Sequence, residues 1–400
     1  MFESLSLLPP DPLLGLIQRY QQDTNPQKMD LGVGVYRDEK GQTPVLASVK
    51  EAEQWLLANE PSKAYVGPLG NVVFLDALGQ ILFGDAVPDP SRLASIQTPG
   101  GCGALRVIAE LLVKSRRDCR IWVSDPTWAN HVPLLGGAGG QHGSVSIISY
   151  PYYDFGESRL NFDAMLAALQ QAQAGDVVLL HACCHNPAGA DLDKDQWLQV
   201  IELCAEKALV PLIDAAYQGF GDGLDADAYG VQLAVSRLPE VLVAVSCSKN
   251  FGLYRERVGA IYVLAEKPAQ AEIISSHLKS ITRGIYSMPP SHGASVVATI
   301  LKSEALDLSW REELDHMRGR IQGVRSHLAG ALRTATASAR FDFIEREKGM
   351  FSFLGLTPEQ VALLAEKHSI YMADSSRINL AGINDENLSY LVASLQGILD

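Results

Sequence analysis

The stretch from Val241 to Gly259, VLVAVSCSKNFGLYRERVG, gathers the residue types that covalent amine chemistry needs. It opens on an apolar, β-branched run, Val241 to Val245, bounded by small polar residues. That pattern predicts a buried strand rather than an amphipathic helix. Where the strand ends stands Lys249, with hydroxyls before it at Ser246 and Ser248 and cations after it at Arg255 and Arg257. A lone lysine there is most often a surface residue of a strand-to-helix loop. Its chemistry depends on partners supplied elsewhere in the chain.

A lysine that condenses with a carbonyl compound has one common biological partner, pyridoxal 5'-phosphate. That cofactor makes definite demands, and the chain holds a residue for each. Asp214 is the carboxylate that keeps a proton on the ring nitrogen. Tyr217 and Asn186 are donors for the phenolic oxygen. The glycine-rich start of a helix at Gly101-Cys102, with Ser246 and Arg257, suits the phosphate. Trp128 is an aromatic plate for the ring face. Taken singly, Asp214 reads as a helix cap, Trp128 as core and Asn186 as a turn former; together they answer the needs of one molecule.

These residues need a frame that brings them together. Strand-like runs at Ile121-Trp122-Val123, Val145–Ser149, Asp176–His181 and Val210–Ile213 alternate with helical patterns such as the stripe Trp197, Ile201, Cys204 and Ala208. Such alternation predicts an α/β fold, a mostly parallel sheet sandwiched by helices. Ligands then sit beyond the carboxyl ends of the strands, and Trp128, Asn186, Asp214 and Lys249 all fall just after predicted strand ends. A long charged helix pattern, Trp310–Ala331, precedes a second, smaller α+β domain. That domain is expected to hold two short strands in Phe341–Leu356, around Lys348-Gly349, and a closing helix through Leu388, Leu391, Leu395 and Ile398. The expected division is 1–44 as an N-terminal arm and part of the small domain, 45–315 as the large domain, and 316–400 as the rest of the small one. Within 1–44, Pro9-Pro10 and Asp11-Pro12 precede a short helix, and Asp30–Tyr36 reads as a β-like run broken by Gly32 and Gly34.

The whole chain has 400 residues, 47% apolar and 20% charged, as in an ordinary globular protein. A net charge of −13 argues against a nucleic-acid partner. No apolar run reaches the length of a membrane span. With Glu3 and no basic residue before Arg19, the N-terminus is not expected to be a secretory signal. The cysteines (Cys102, Cys119, Cys183, Cys184, Cys204, Cys247) show no CxxC spacing, so reduced thiols in a cytoplasmic protein are expected, with no metal site.

The motifs SxSKNFGLYxERVG, CCHNPxG, DxAYQGF, TPGGxGALR, PxWxNH and YSxPPxHGASVVATIL stand in this chain in one order. In them, and over nearly its whole length, it resembles the aspartate/aromatic aminotransferase family, the class I pyridoxal-phosphate enzymes of fold type I. The resemblance implies a homodimer with active sites at the subunit boundary and cofactor attachment at Lys249. It also implies that His131 supports Asp214 from behind, and that Tyr65 reaches the phosphate of the opposite subunit's site. Arg377 would grip the substrate α-carboxylate near Gly34, with Trp128 and Asn186 beside it. Arg283 would come from the neighbouring subunit to pair with a distal carboxylate. Lys249 would then move the substrate's α-proton, acting as base and acid.

Members specialised for aspartate usually carry threonine where Cys102 stands, and asparagine where Ala64 and Met288 stand. The less polar set here implies a looser site, so the reading is an aromatic-amino-acid aminotransferase (tyrosine, phenylalanine, tryptophan) that also takes aspartate and glutamate. Aspartate aminotransferase is the alternative. A β-lyase or decarboxylase on the same fold has no need of paired carboxylate-binding arginines. A binding protein or regulator has no need of an intact set around Lys249.

Overall fold

Residues 2–7, 12–87, 89–140 and 143–399 are described by the computed structural model, without side chains for 12–14 and 139–140. Pro9-Pro10 and Asp11 of the expected arm therefore lie outside the described residues. The helix that follows them runs Pro12–Gln22. No helix among the described residues is long and apolar enough to cross a membrane. The chain divides into two units, Pro44–Arg320 and Met1–Thr43 with Ile321–Asp400.

The larger unit is built on eight strands: β1 (Leu93–Pro99), β2 (Asp118–Asp125), β3 (Gly139–Gly140), β4 (Gly143–Pro151), β5 (Val177–His181), β6 (Val210–Ala215), β7 (Val241–Ser246) and β8 (Val258–Leu264). Their order across the sheet is β1-β8-β7-β6-β5-β2-β4-β3. The run from β7 to β4 is parallel, and β8 is antiparallel to both its neighbours. Every residue of β7 and β8 is buried. Such continuous apolar strands form where helices cover both faces, since a solvated face would select alternation instead. Ile96, Leu105, Ile108, Ile121, Leu179, Leu212 and Ile261 join the sheet and its helices in one core.

Two helices follow strands of this sheet in the chain. Helix α1 (Gly100–Ser115) follows β1 without a loop. Helix α2 (Lys194–Lys207) starts at a capping box in which Asp193 and Gln196 satisfy each other's amides, a device worth about 1 kcal/mol. A third, α3 (Glu304–Thr336), begins in the larger unit and ends in the smaller. Its Trp310 is fully buried, stacks on Phe251 at 4.3 Å and donates from Nε1 to Asn250 O at 2.8 Å. That contact pins the turn after Lys249.

In the smaller unit, Met29–Asp30 pairs in parallel with Ile370–Tyr371, and Phe351–Phe353 pairs antiparallel with Arg377–Asn379. Two strand expectations are corrected here. Beyond Asp30 the chain leaves the sheet, because the Asp30 carboxylate itself takes the amides of Gly32 and Val33. The first of the two runs in Phe341–Leu356 is a helical turn, Phe343–Arg346. Buried Arg325 donates to the Ile344 carbonyl of that turn and to the carbonyls of Lys348, Gly349 and Phe351 after it, so these oxygens are bonded.

Candidate active site

Strand register is what brings the chemistry together. Asp214, near the end of β6, stands opposite His181 at the end of β5 on one side and Ala244 of β7 on the other. Lys249 follows β7 closely, half-buried, with Nζ 4.7 Å from the centre of the Tyr217 ring. Asn186, in the loop after β5, is buried and donates from Nδ2 toward Tyr217 Oη at 3.5 Å. Trp128, after β2, meets the His131 ring edge-on at 5.2 Å.

Electrostatics follow from this burial. Burial pushes the Asp214 carboxyl up, but the hydrogen bond and charge of His131, with His181 and Lys249, outweigh it and hold the group below its usual range. Burial pushes the Lys249 amine down; Asp214 opposes the shift and Arg257 adds to it, and the net direction is downward. Behind Asp214 the imidazoles continue. His131 meets His181 at 5.2 Å, and His181 meets His185 at 4.0 Å. His181 is pushed down to about 3, by burial first and then by His131. Burial and His181 hold His185 well below its ordinary value.

A second cluster forms where α1 begins. Gly100 takes a left-handed φ of +70°, and a Cβ there would sit 2.6 Å from Arg257 Nη2. A Cβ on Gly101 would stand 3.2 Å from Ser246 Cβ. Glycine is what lets the helix start this close to a cation and a hydroxyl. Ser246 Oγ and Ser248 Oγ are 3.2 Å apart, and Arg257 Nη1 donates to Tyr254 O at 2.9 Å and toward Ser248 Oγ at 3.4 Å. Among the described residues the Arg257 guanidinium contacts hydroxyl and carbonyl oxygens and no carboxylate. Helix-start amides, two hydroxyls and that guanidinium are the donor set a phosphate requires. Half-buried Cys102, in the first turn of α1, accepts from Asn130 Nδ2 at 3.9 Å.

The other expected residues have surroundings of their own. Tyr65 is 94% exposed. Arg283, in the last turn of the helix Pro268–Ile285, is exposed and donates to Ser287 Oγ at 2.7 Å. In the smaller unit, Arg377 lies over the Phe351 ring at 4.5 Å and donates to Gly32 O, and a Cβ on Gly34 would come 2.9 Å from the same ring. Gly34 and Arg377 thus share Phe351. Residue-by-residue reading gave no role to His181, His185 and Trp310, and named Ser248 only as a hydroxyl beside Lys249. For His181 a signal existed: it closes a predicted strand, as Asp214 nearly does, and adjacent parallel strands align their ends.

The chain matches known proteins over its full length. A family model described as aminotransferase class I and II covers residues 26–395. An aspartate aminotransferase of Escherichia coli is 45% identical over 401 residues, with 100% of each chain covered. An aromatic-amino-acid aminotransferase of Pseudomonas aeruginosa is also 45% identical, over 396 residues and 98% of each chain. The crystal structure of an aromatic-amino-acid aminotransferase from Burkholderia pseudomallei, covalently bound to pyridoxal phosphate, superposes with a TM-score of 0.96 at 39% identity, covering 100% of both chains.

Proposed function

The chain belongs to the class I and II aminotransferases, a pyridoxal-phosphate-dependent family of fold type I, and from that premise we propose that it moves the amino group of an aromatic L-amino acid to 2-oxoglutarate. Aspartate is a further substrate in this reading, and aspartate aminotransferase is the second reading. The observation that carries the proposal is a half-buried amine, Lys249, over the Tyr217 ring and within the electrostatic reach of Asp214, whose carboxyl is held below its usual range.

When bound, pyridoxal phosphate supplies a carbonyl for a lysine and an electron-withdrawing ring that takes up charge from the substrate's α-carbon. Lys249 is assigned to that carbonyl, and its Nζ to the substrate's α-proton. Asp214 holds a proton on the ring nitrogen, and His131 keeps Asp214 ionised. Asn186 and Tyr217 donate to the phenolic oxygen. Gly101, Cys102, Ser246 and Arg257 would hold the phosphate, and Trp128 would supply an aromatic face to the ring. Arg377 takes the substrate's α-carboxylate beside Gly34, a bidentate match that lysine cannot make.

Arg283 and Tyr65 are exposed in the single chain, which supports their assignment to a neighbouring subunit's site in a homodimer. That all six cysteines are thiols outside disulfides suits the cytoplasm. Two relatives of equal identity bear different substrate names, so identity does not choose between the two readings. Cys102, Ala64 and Met288 favour the aromatic one: they are less polar than the set expected of an aspartate specialist, which implies a looser site, and Met288 is an adaptable filler.

The test is single-turnover kinetics of the cofactor-loaded enzyme with phenylalanine, tyrosine, tryptophan and aspartate. The aromatic reading expects kcat/KM for phenylalanine at least equal to that for aspartate. A preference for aspartate by several orders of magnitude selects the second reading, and no reaction with any of the four rejects both.

A further inference from the structure

Among the described residues, one buried cluster of metal-ligand side chains lies outside the roles assigned above: Cys183, Cys184 and Asp227. In an extended segment, consecutive side chains point to opposite faces. Cys184 instead adopts a φ of +51°, a left-handed conformation uncommon for a residue with a Cβ. Both sulfurs consequently approach the same carboxylate. One ligand atom from each of the three residues lies within 4.8 Å of the other two. The residues are 6%, 1% and 6% exposed, so water competes little for the position between them.

The Asp227 carboxylate already has work. Its Oδ2 accepts from Gly219 N at 2.8 Å and Gly221 N at 2.9 Å, and its Oδ1 from Asp222 N at 2.8 Å. A carboxylate offers about four lone-pair sites, so Oδ1 keeps one for a further partner. The Cys183 thiol is held well above its ordinary value by its hydrogen bond with Cys184 and by burial, and burial raises Asp227. A cation placed among the three would offset both effects. Two sulfurs with one oxygen are a borderline-soft donor set, which favours zinc-like ions over magnesium or calcium.

We propose that Cys183, Cys184 and Asp227 form a binding site for one thiophilic divalent cation of the zinc and cadmium class, with a fourth position open to water. Capture forms two metal–sulfur bonds and one metal–oxygen bond; two thiol protons leave to solvent, and no electron is transferred. The ion ties the segment leading into Asn186 to the turn that follows Tyr217.

The experiment titrates the chelator-treated, cofactor-loaded enzyme with cadmium and follows the thiolate-to-cadmium charge-transfer band in the ultraviolet. The expected result is a band that saturates at one cadmium per chain. In Cys183→Ala and in Cys184→Ala its midpoint moves at least about tenfold to weaker binding. X-ray absorption at the cadmium edge of the wild-type protein reads two sulfur donors and at least one oxygen, whether or not either variant folds. Absence of a band at several equivalents, an unmoved midpoint in either folded variant, or a shell with fewer than two sulfurs overturns the site.

Discussion

His131 Nε2 lies 3.0 Å from Asp214 Oδ2, while His131 Nδ1 lies 2.8 Å from Thr127 Oγ1. An ionised carboxylate can only accept, so Nε2 is the nitrogen that donates to it, while the Thr127 hydroxyl pairs with Nδ1. The contact therefore fixes which ring nitrogen faces the acid. Removing it in His131→Phe costs a hydrogen bond to a charged group, worth about 1.5–3 kcal/mol. Steady-state kinetics should show kcat lowered by about 10- to 100-fold, little change in KM, and an acid limb of the pH profile moved upward. A variant with wild-type kcat and an unmoved limb would remove His131 from this role.

Lys249→Ala should abolish turnover and leave the fold, because the lysine's packing is replaceable and its amine is not. Circular dichroism and thermal melting check the second half of that statement. In the cofactor-free protein, the rate of loading should rise with pH through a midpoint below the ordinary lysine value of 10.5, since the neutral amine is the nucleophile and burial lowers its pKa. A midpoint at or above 10.5 contradicts the buried setting.

Acid should destabilise the protein through its histidines. The native pKa of His181 is about 3 against an ordinary 6.5, so between these values the unfolded chain binds the extra proton. Stability is then complete above about pH 6.5 and falls as pH drops toward 3, with a slope of at most about 1.4 kcal/mol per pH unit from this group. Denaturant unfolding of wild type and His181→Gln across that range measures the difference in slope. Equal slopes would show that His181 titrates normally in the folded protein.

Gly259 couples the sheet to the anion cradle. A Cβ there would sit 2.6 Å from both Gly100 C and Val245 O, and backbone on either side cannot swing away as a side chain can. Gly259→Ala should cost about 1–3 kcal/mol of stability and displace the start of α1. Fluorescence titration with cofactor should report weaker binding, at least several-fold. Unchanged affinity together with unchanged stability would mean that β8 and α1 part without cost.

Much of the fold was legible because parallel strands are apolar along their length and end in polar, chemistry-bearing loops. The ends that expose Trp128, Asn186, Asp214 and Lys249 could be read one by one. Strands β1 and β8 were not recognised, although Val258–Leu264 is apolar throughout. A short apolar run has no period that distinguishes strand from buried helix, and of its two partners one, Leu93–Pro99, is far away in the chain. The same non-locality turned Phe343–Arg346 into helix, through the Arg325 guanidinium.

The sequence by itself determined which groups this protein can deploy: an amine, an acid, their aromatic and hydroxyl neighbours, and glycines where a helix must begin against a cation. Only the tertiary structure decided how those groups are tuned. His181 faces Asp214 because β5 and β6 align their ends, Ser248 joins Ser246 because the chain turns there, and Trp310 pins Asn250 from a helix far along the sequence. The reason is physical. A residue's identity is carried by one position, whereas its protonation and orientation are set by whatever the fold packs against it.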